Sequence, residues 1–529
     1  MTKIEIYDTT LRDGSQAEDV KFSPADKLRI AQKLDEFGVD YIECGWPGAN
    51  PVDNEFFELA KQVKFKNSTL TAFSSTHKKG ITVKEDPNIQ ALINAGTEVV
   101  AIFGKSDEFH VVNALEVSFD ANLQMIKSTI VFLRENGKRV FFDAEHFFDG
   151  YKRNREYALK CLEVAYASSA EFLILCDTNG GTLPDEISAI TEDVVKQLPG
   201  AKIGIHAHND CECAVANSII AVRNGATQVQ GTINGLGERC GNANLISVMP
   251  NLKLKLGFDC AGDLEKLKEL SGFVSEIANI RKFRRQPYVG DSAFAHKGGI
   301  HASAVLKHPE TYEHIKPGLV GNERRILMSD LAGQSNLLRK AAEFGISLEK
   351  DSSELKEILS EIKNLESDGY EFEAADASLE LLIRKHLKIH KNIFFEIKGF
   401  RVIVERRNEG EKPINEATAK IKIGNKVENE VAESLKGPVN ALDKVLRKAL
   451  GKHYPTINRV RLTDFKVRIL SDKAGTTAKI RVWIESGSNG KRWGTVGVSE
   501  NIVEASAQAL LDSLEYYLLK ENDNGATNK

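Results

Sequence analysis

Through the first half of the chain, short apolar runs rich in β-branched residues alternate with stretches of helical period. The runs are Ile4–Tyr7, Tyr41–Gly45, Leu70–Ser74, Val99–Gly104, Val140–Glu145, Phe172–Thr178, Ile203–His208 and Thr227–Ile233. Runs this apolar suit strands covered on both faces, as in a parallel sheet. The stretches between them carry helix signals. Ser23 and Pro24 supply an N-cap and a proline at the first helical position, Ile30, Leu34 and Phe37 form one stripe, and Gly38 stops the helix. Eight strands alternating with helices predict a (β/α)8 TIM barrel over residues 1–262. A doubly wound open sheet would alternate in the same way, and the strand count favours the barrel.

The pattern then changes twice. Residues 263–390 read as helical linker subdomains, with helices at Leu264–Arg281, Leu355–Leu365 and Ala377–His390. Between the first two lies a loop rich in glycine and histidine, Gly290–His301, a composition that suits function better than packing. Over 391–520 strands return at Ile393–Ile397, Phe400–Arg406 and Glu416–Ile423, followed by a helix at Val439–Leu450. Strands at Arg459–Leu470, Thr476–Glu485 and Trp493–Val498 and a helix at Ile502–Lys520 repeat the order. This is an α+β domain of two β-β-β-α units. Residues 521–529 are polar and read as a disordered tail.

Composition narrows the function. A chain of 529 residues with 42% hydrophobic content holds several full cores. The 71 basic and 75 acidic residues are well mixed and leave a net charge of −4, which argues against a nucleic-acid or anionic-membrane partner. No apolar run is long enough to span a bilayer, and the first strand begins too early to leave room for a signal peptide. Seven scattered cysteines form no disulfide framework and suit a reduced, cytoplasmic setting. Cys211 and Cys213 lack a second pair at zinc-ribbon spacing, so they read as buried small apolar residues.

In a parallel barrel the working residues gather at the C-terminal ends of the strands. Those ends carry Arg12 and Asp13, then Glu145, Thr178, His206 and His208. His206 and His208 are two apart and share one side of a strand. One carboxylate and two imidazoles make a divalent-metal site with positions left open for substrate. Taken singly, a histidine on a strand is usually core and an Arg-Asp pair usually a surface ion pair. Their coincidence at one face points to chemistry. A metal there would chelate a 2-oxo acid and polarise its ketone. Arg12 would neutralise the developing alkoxide, Glu145 would join the proton relay, and Thr178 would hydrogen-bond the substrate carboxylate. The glycine-rich turn Gly235–Gly241 lets backbone approach the site, and it lacks the strand–GxGxxG–helix context of a dinucleotide fold.

Asp8-Thr9-Thr10-Leu11-Arg12-Asp13-Gly14, His206-Ala207-His208 and Asn234-Gly235-Leu236-Gly237-Glu238-Arg239 resemble the motifs of the DRE-TIM metallolyases. That superfamily holds the 2-isopropylmalate, homocitrate and citramalate synthases and a retro-aldol acyl-CoA lyase. The resemblance covers nearly the whole chain, because the synthases also carry helical subdomains and a C-terminal doubled β-β-β-α regulatory domain. Tyr41–Gly48, Trp493–Asn501 and Ser15-Gln16, in place of the common Glu-Gln, resemble the long-form citramalate synthases most. The resemblance implies metal ligation by Asp13, His206 and His208 with Asn242 as a weaker fourth ligand, the metal being Mg, Mn or Zn. It implies Arg12 as electrophilic catalyst, Glu145 in the acid–base relay, and His301 and Tyr312 reaching the partner subunit's site in a homodimer. It further implies condensation of acetyl-CoA with pyruvate on a threonine-independent route to isoleucine, with isoleucine as allosteric inhibitor. The alternatives are a 2-isopropylmalate synthase of leucine biosynthesis, the lyase, or a non-catalytic amino-acid sensor. The C-terminal domain weighs against the lyase and the intact Arg12, Asp13, His206 and His208 against the sensor.

Overall fold

The computed structural model describes residues 3–260, 262–297, 299–327, 334–389, 394–406, 408–470 and 477–526. They form two compact units, one of residues 1–294 with 314–324 and one of residues 295–313 with 325–529.

The first unit is the expected barrel. Its strands are β1 (Lys3–Asp8), β2 (Tyr41–Gly45), β3 (Thr69–Ser75), β4 (Val99–Lys105), β5 (Arg139–Glu145), β6 (Phe172–Asp177), β7 (Lys202–Ala207) and β8 (Gln228–Gly231). Each pairs in parallel with the next, and β1 closes the ring by pairing with both β2 and β8. Helix α1 (Pro24–Phe37) shows why the local reading works. Ser23 and Asp26 cap each other's backbone, and Gly38 ends the helix in the left-handed region at φ 96°. The strands bury one set of alternating residues against the outer helices, as Ile4, Ile6, Ile42 and Ile102 do. The opposite set fills the barrel with a small aromatic cluster around Tyr7, Tyr41, Phe141 and Phe172.

The structure divides the chain differently from the three expected segments. The first unit continues past residue 262 because the helix Leu267–Ile277 buries Leu267, Leu270 and Val274 in the barrel's outer core. Residues 325–389 belong instead with the C-terminal sheets, because Leu337, Leu355, Ile358 and Leu379 share a core with Val496. The loop expected through His301 becomes helical from Gly299 to Lys307.

The doubled unit is present as two three-stranded antiparallel sheets, each followed by a helix. In the first repeat, the strands expected at Ile393–Ile397 and Phe400–Arg406 are one strand, Glu396–Glu405, carried across a bulge at Ile397/Gly399. The third strand of that sheet is Lys426–Ser434, which the sequence reading passed over. The last helix runs Ile502–Ala526, through the start of the segment expected as a disordered tail, and 527–529 lie outside the described residues. Among the described residues no helix is long and apolar enough to cross a membrane.

Candidate active site

The ends of β1, β5, β6 and β7 converge on a cavity of about 250 Å3. It is lined by Arg12, Asp13, Glu145, Thr178, His206 and His208, so six of the expected site residues meet there. Asp13 Oδ2 lies 3.2 Å from His206 Nε2 and 3.7 Å from His208 Nε2, and the two imidazole nitrogens are 3.4 Å apart. All three residues are buried. The fold brings them together because β1 and β7 both flank β8. The isolated bridge between His208 and Asn242 draws the glycine-rich turn over the site. A side chain at Gly237 would collide with the Asn242 amide, which explains the glycine there.

Electrostatics keep the trio ready for a cation. Burial alone would raise the Asp13 pKa, but the Arg12 charge and His206 outweigh it and hold the carboxyl well below its usual range. Burial likewise opposes a charged His206, yet its hydrogen bond to Asp13 holds its pKa above the ordinary value. Burial, with the nearby His206, pushes His208 down to about 4, so its ring offers a free lone pair at neutral pH. Gln230 Oε1 lies 2.9 Å from His206 Nδ1 and is itself fully buried. Its amide nitrogen donates to Asp143 and Gln228, which fixes the oxygen toward Nδ1 and turns Nε2 toward Asp13. The donor set of one carboxylate and two imidazoles fits a divalent ion. Asn242 is the exception, since its Nδ2 donates to Asp13 at 2.8 Å while its buried Oδ1 has no partner. Turning the amide over would present that oxygen as a fourth ligand.

Arg12 is clamped. Its Nε donates to Glu43 at 2.6 Å, its guanidinium pairs with Asp13 at 3.1 Å, and it lies 3.8 Å from the Phe73 ring centre. Glu43, at the end of β2, is fully buried and also accepts from Tyr7 and Thr9. Glu145 forms an ion pair with Lys105, its neighbour across the β4–β5 register. Thr178 Oγ1 accepts the His146 backbone N–H at 2.8 Å, leaving the hydroxyl proton to donate into the cavity. His146 itself sits in the left-handed region at φ 58°, a strained position beside Glu145.

Trp46, Phe73 and Phe103 form one wall. Trp46 meets each phenylalanine edge-on at 5.7 Å, and the two phenylalanine rings stack at 5.5 Å. Trp46 is held through its backbone N–H by Asp53, whose carboxylate pairs with the buried Lys27. Asp143 lines the opposite side, where burial and the Glu43 charge raise its pKa to about 7.

The sequence reading missed Glu43, Lys105, Asp143, Gln230 and the aromatic wall. Asp143 carried a usable signal, since it sits two residues before Glu145 and therefore shares its face of β5. His301 and Tyr312 belong to the other unit, where their rings stack 4.1 Å apart and both are exposed. Cys211 is exposed and Cys213 half-buried, contrary to the expectation that both are core residues.

Comparison with known proteins agrees with this geometry. The HMGL-like family profile matches residues 3–274, the "Homocitrate synthase post-HMGL domain-like" profile residues 288–369, and the "LeuA allosteric (dimerisation) domain" profile residues 373–518. The chain belongs to the HMGL-like family. It is similar to the (R)-citramalate synthases of Aquifex aeolicus, at 55% identity over 99% of both chains, and of Geobacter sulfurreducens, at 54% over 99% of both. The 2-isopropylmalate synthase of Methanocaldococcus jannaschii is more distant, at 32% identity over 98% of this chain and 95% of that protein.

Proposed function

We propose that this protein is an (R)-citramalate synthase that condenses acetyl-CoA with pyruvate and hydrolyses the thioester to give citramalate and CoA. The observation that carries the reading is the small cavity that sets Arg12 and the Asp13–His206–His208 trio against a closed aromatic wall. A divalent ion held by Asp13, His206 and His208, whether Mg, Mn or Zn, would supply the Lewis acid that polarises the ketone. The Thr178 hydroxyl donates to the pyruvate carboxylate. Glu145 and its partner Lys105 stand where a proton leaves the acetyl methyl group. The enolate carbon then attacks the ketone carbon, and the Arg12 guanidinium faces the oxygen on which negative charge develops. Water cleaves the thioester and releases the thiol.

Trp46, Phe73 and Phe103 leave room for a methyl group and close against branched chains. Thiol release with acetyl-CoA and a panel of 2-oxo acids is the direct test. Pyruvate is expected well ahead of 2-oxoisovalerate, and the reverse order makes the protein a 2-isopropylmalate synthase. Trimming the wall with Phe103→Ala should lower the preference for pyruvate by about tenfold or more, since each methylene in an open pocket is worth about 1–3 kcal/mol.

His301 and Tyr312 are assigned to the active site of the second subunit in a homodimer. The exposure of both rings supports this, because neither is spent on its own core. Mixed dimers of an Arg12→Lys chain and a His301→Ala chain should recover activity that neither homodimer has. Mixtures no better than the sum of their parents remove the assignment.

We assign feedback control by isoleucine to the C-terminal domain, in keeping with the LeuA allosteric profile. The segment expected to line its ligand site, Ser471–Thr477, lies outside the described residues up to 476. Val496 and Trp483 pack into the helical core of residues 337–387, so cutting the chain near 391 would strip that core. The test is therefore made on the full chain. Isoleucine should lower its rate, and a chain of normal activity that neither binds nor responds to isoleucine removes the assignment.

A further inference from the structure

The second unit encloses a cavity of about 400 Å3 that the catalytic reading does not use. It lies among the helices Ser353–Ser367, Asp376–His386 and Ile502–Ala526. One wall is apolar, made by Leu365, Phe372, Leu381 and Leu382. The other presents Asp512 and Lys385.

Asp512 is the informative residue. One of its oxygens accepts from Ser378 Oγ at 2.7 Å, and Ser378 in turn accepts the Val496 N–H at 3.1 Å. The serine proton is thereby committed to the carboxylate. Among the described residues no cation pairs with Asp512, since the Lys385 ammonium pairs with Glu515 at 3.0 Å. Burial raises the Asp512 pKa to about 6. A desolvated carboxylate without a counter-charge is costly to keep in a fold. A ligand cation would offset that cost. His386 stands at the rim, held through both ring nitrogens by Glu361 at 3.0 Å and Glu357 at 3.3 Å. Those two carboxylates keep that rim from attracting a free anion, so Lys385 is the basic group that remains beside the apolar wall.

We propose that this cavity binds a free α-amino acid with a branched aliphatic side chain. The ammonium sits against Asp512, the carboxylate toward Lys385, and the side chain among Leu365, Phe372, Leu381 and Leu382. The cavity is larger than such a molecule needs, which leaves space for water at its mouth. Naming the ligand as a regulator rests on the feedback reading above; the binding itself does not. The site lies where the linker helices meet the last helix, outside the strands of the doubled unit. A ligand bridging Asp512 and Lys385 ties Asp376–His386 to Ile502–Ala526. It therefore favours any state in which those two helices keep this spacing.

Isothermal titration of the full chain with L-isoleucine, L-leucine and L-valine, and with 3-methylpentanoate as the analogue lacking the ammonium, tests the proposal. At least one of the amino acids should bind, and L-isoleucine should bind at least tenfold more tightly than 3-methylpentanoate. Asp512→Asn should erase that difference, and Leu382→Trp, which fills the cavity, should weaken amino-acid binding at least tenfold. Thiol release without effector should stay within twofold in both variants, and thermal melts should show that both fold. Affinities unchanged in both variants, or no amino acid bound by the intact chain, overturn the proposal. A chain that binds the amino acid as described but releases no thiol with pyruvate keeps this site and loses the synthase reading instead.

Discussion

Replacing His206 by Ala is expected to abolish turnover while the barrel stays folded. His206 supplies one of three donors in a buried trio and is aimed by Gln230, so no neighbouring side chain can take its place. A Lewis acid on a ketone is worth several kcal/mol, so the loss should be about a thousandfold or more. Metal binding gives a readout independent of rate. A divalent ion at one hundred times its Kd should stabilise the intact protein by about 2.7 kcal/mol. That gain should vanish in His206→Ala and in His208→Ala, measured by thermal melts with and without Mg, Mn or Zn. Either variant keeping near-normal turnover and stoichiometric metal would show that the site is misassigned.

Arg12→Lys should cost about a hundredfold to a thousandfold in kcat, the loss that follows removal of one preorganised donor from a developing oxyanion. Lysine keeps the charge but loses the planar fork that meets Glu43 and Asp13 together while stacking on Phe73. Glu43→Gln gives the companion measurement. Glu43 accepts from Tyr7, Thr9 and Arg12, so every group facing it donates. An amide would turn an N–H toward one of those donors, a mismatch worth about 1–3 kcal/mol, and would free Arg12 to move. Glu43→Gln should therefore lower kcat with little change in metal affinity. Full activity in Arg12→Lys would remove the electrophilic role.

The metal trio was legible because its residue types are rare at the ends of apolar strands and because a spacing of two fixes a shared face. Asp13, His206 and His208 needed only the barrel's closure to meet. Glu43 was not legible. A lone glutamate in Tyr41–Gly45 looks like any polar break in a strand, and its role depends on Tyr7, Thr9 and Arg12, all more than thirty positions away. The aromatic wall was invisible for the same reason, since Trp46, Phe73 and Phe103 come from three separate strand ends. In the C-terminal domain the strand Lys426–Ser434 escaped notice because it carries charge on an exposed face and buries little of its length.

The sequence by itself determined the eight barrel strands, the doubled β-β-β-α unit and the candidate metal ligands. Each rests on local chemistry: periodicity, caps, and ligand types at strand ends. Only the tertiary structure decided where the units divide, because Leu267–Ile277 and residues 337–387 could each have packed elsewhere, and buried contact distant in sequence assigns them. It also decided which end of the Asn242 amide faces the site and that Asp512 lacks a cation, since both depend on neighbours that folding alone brings within hydrogen-bond reach.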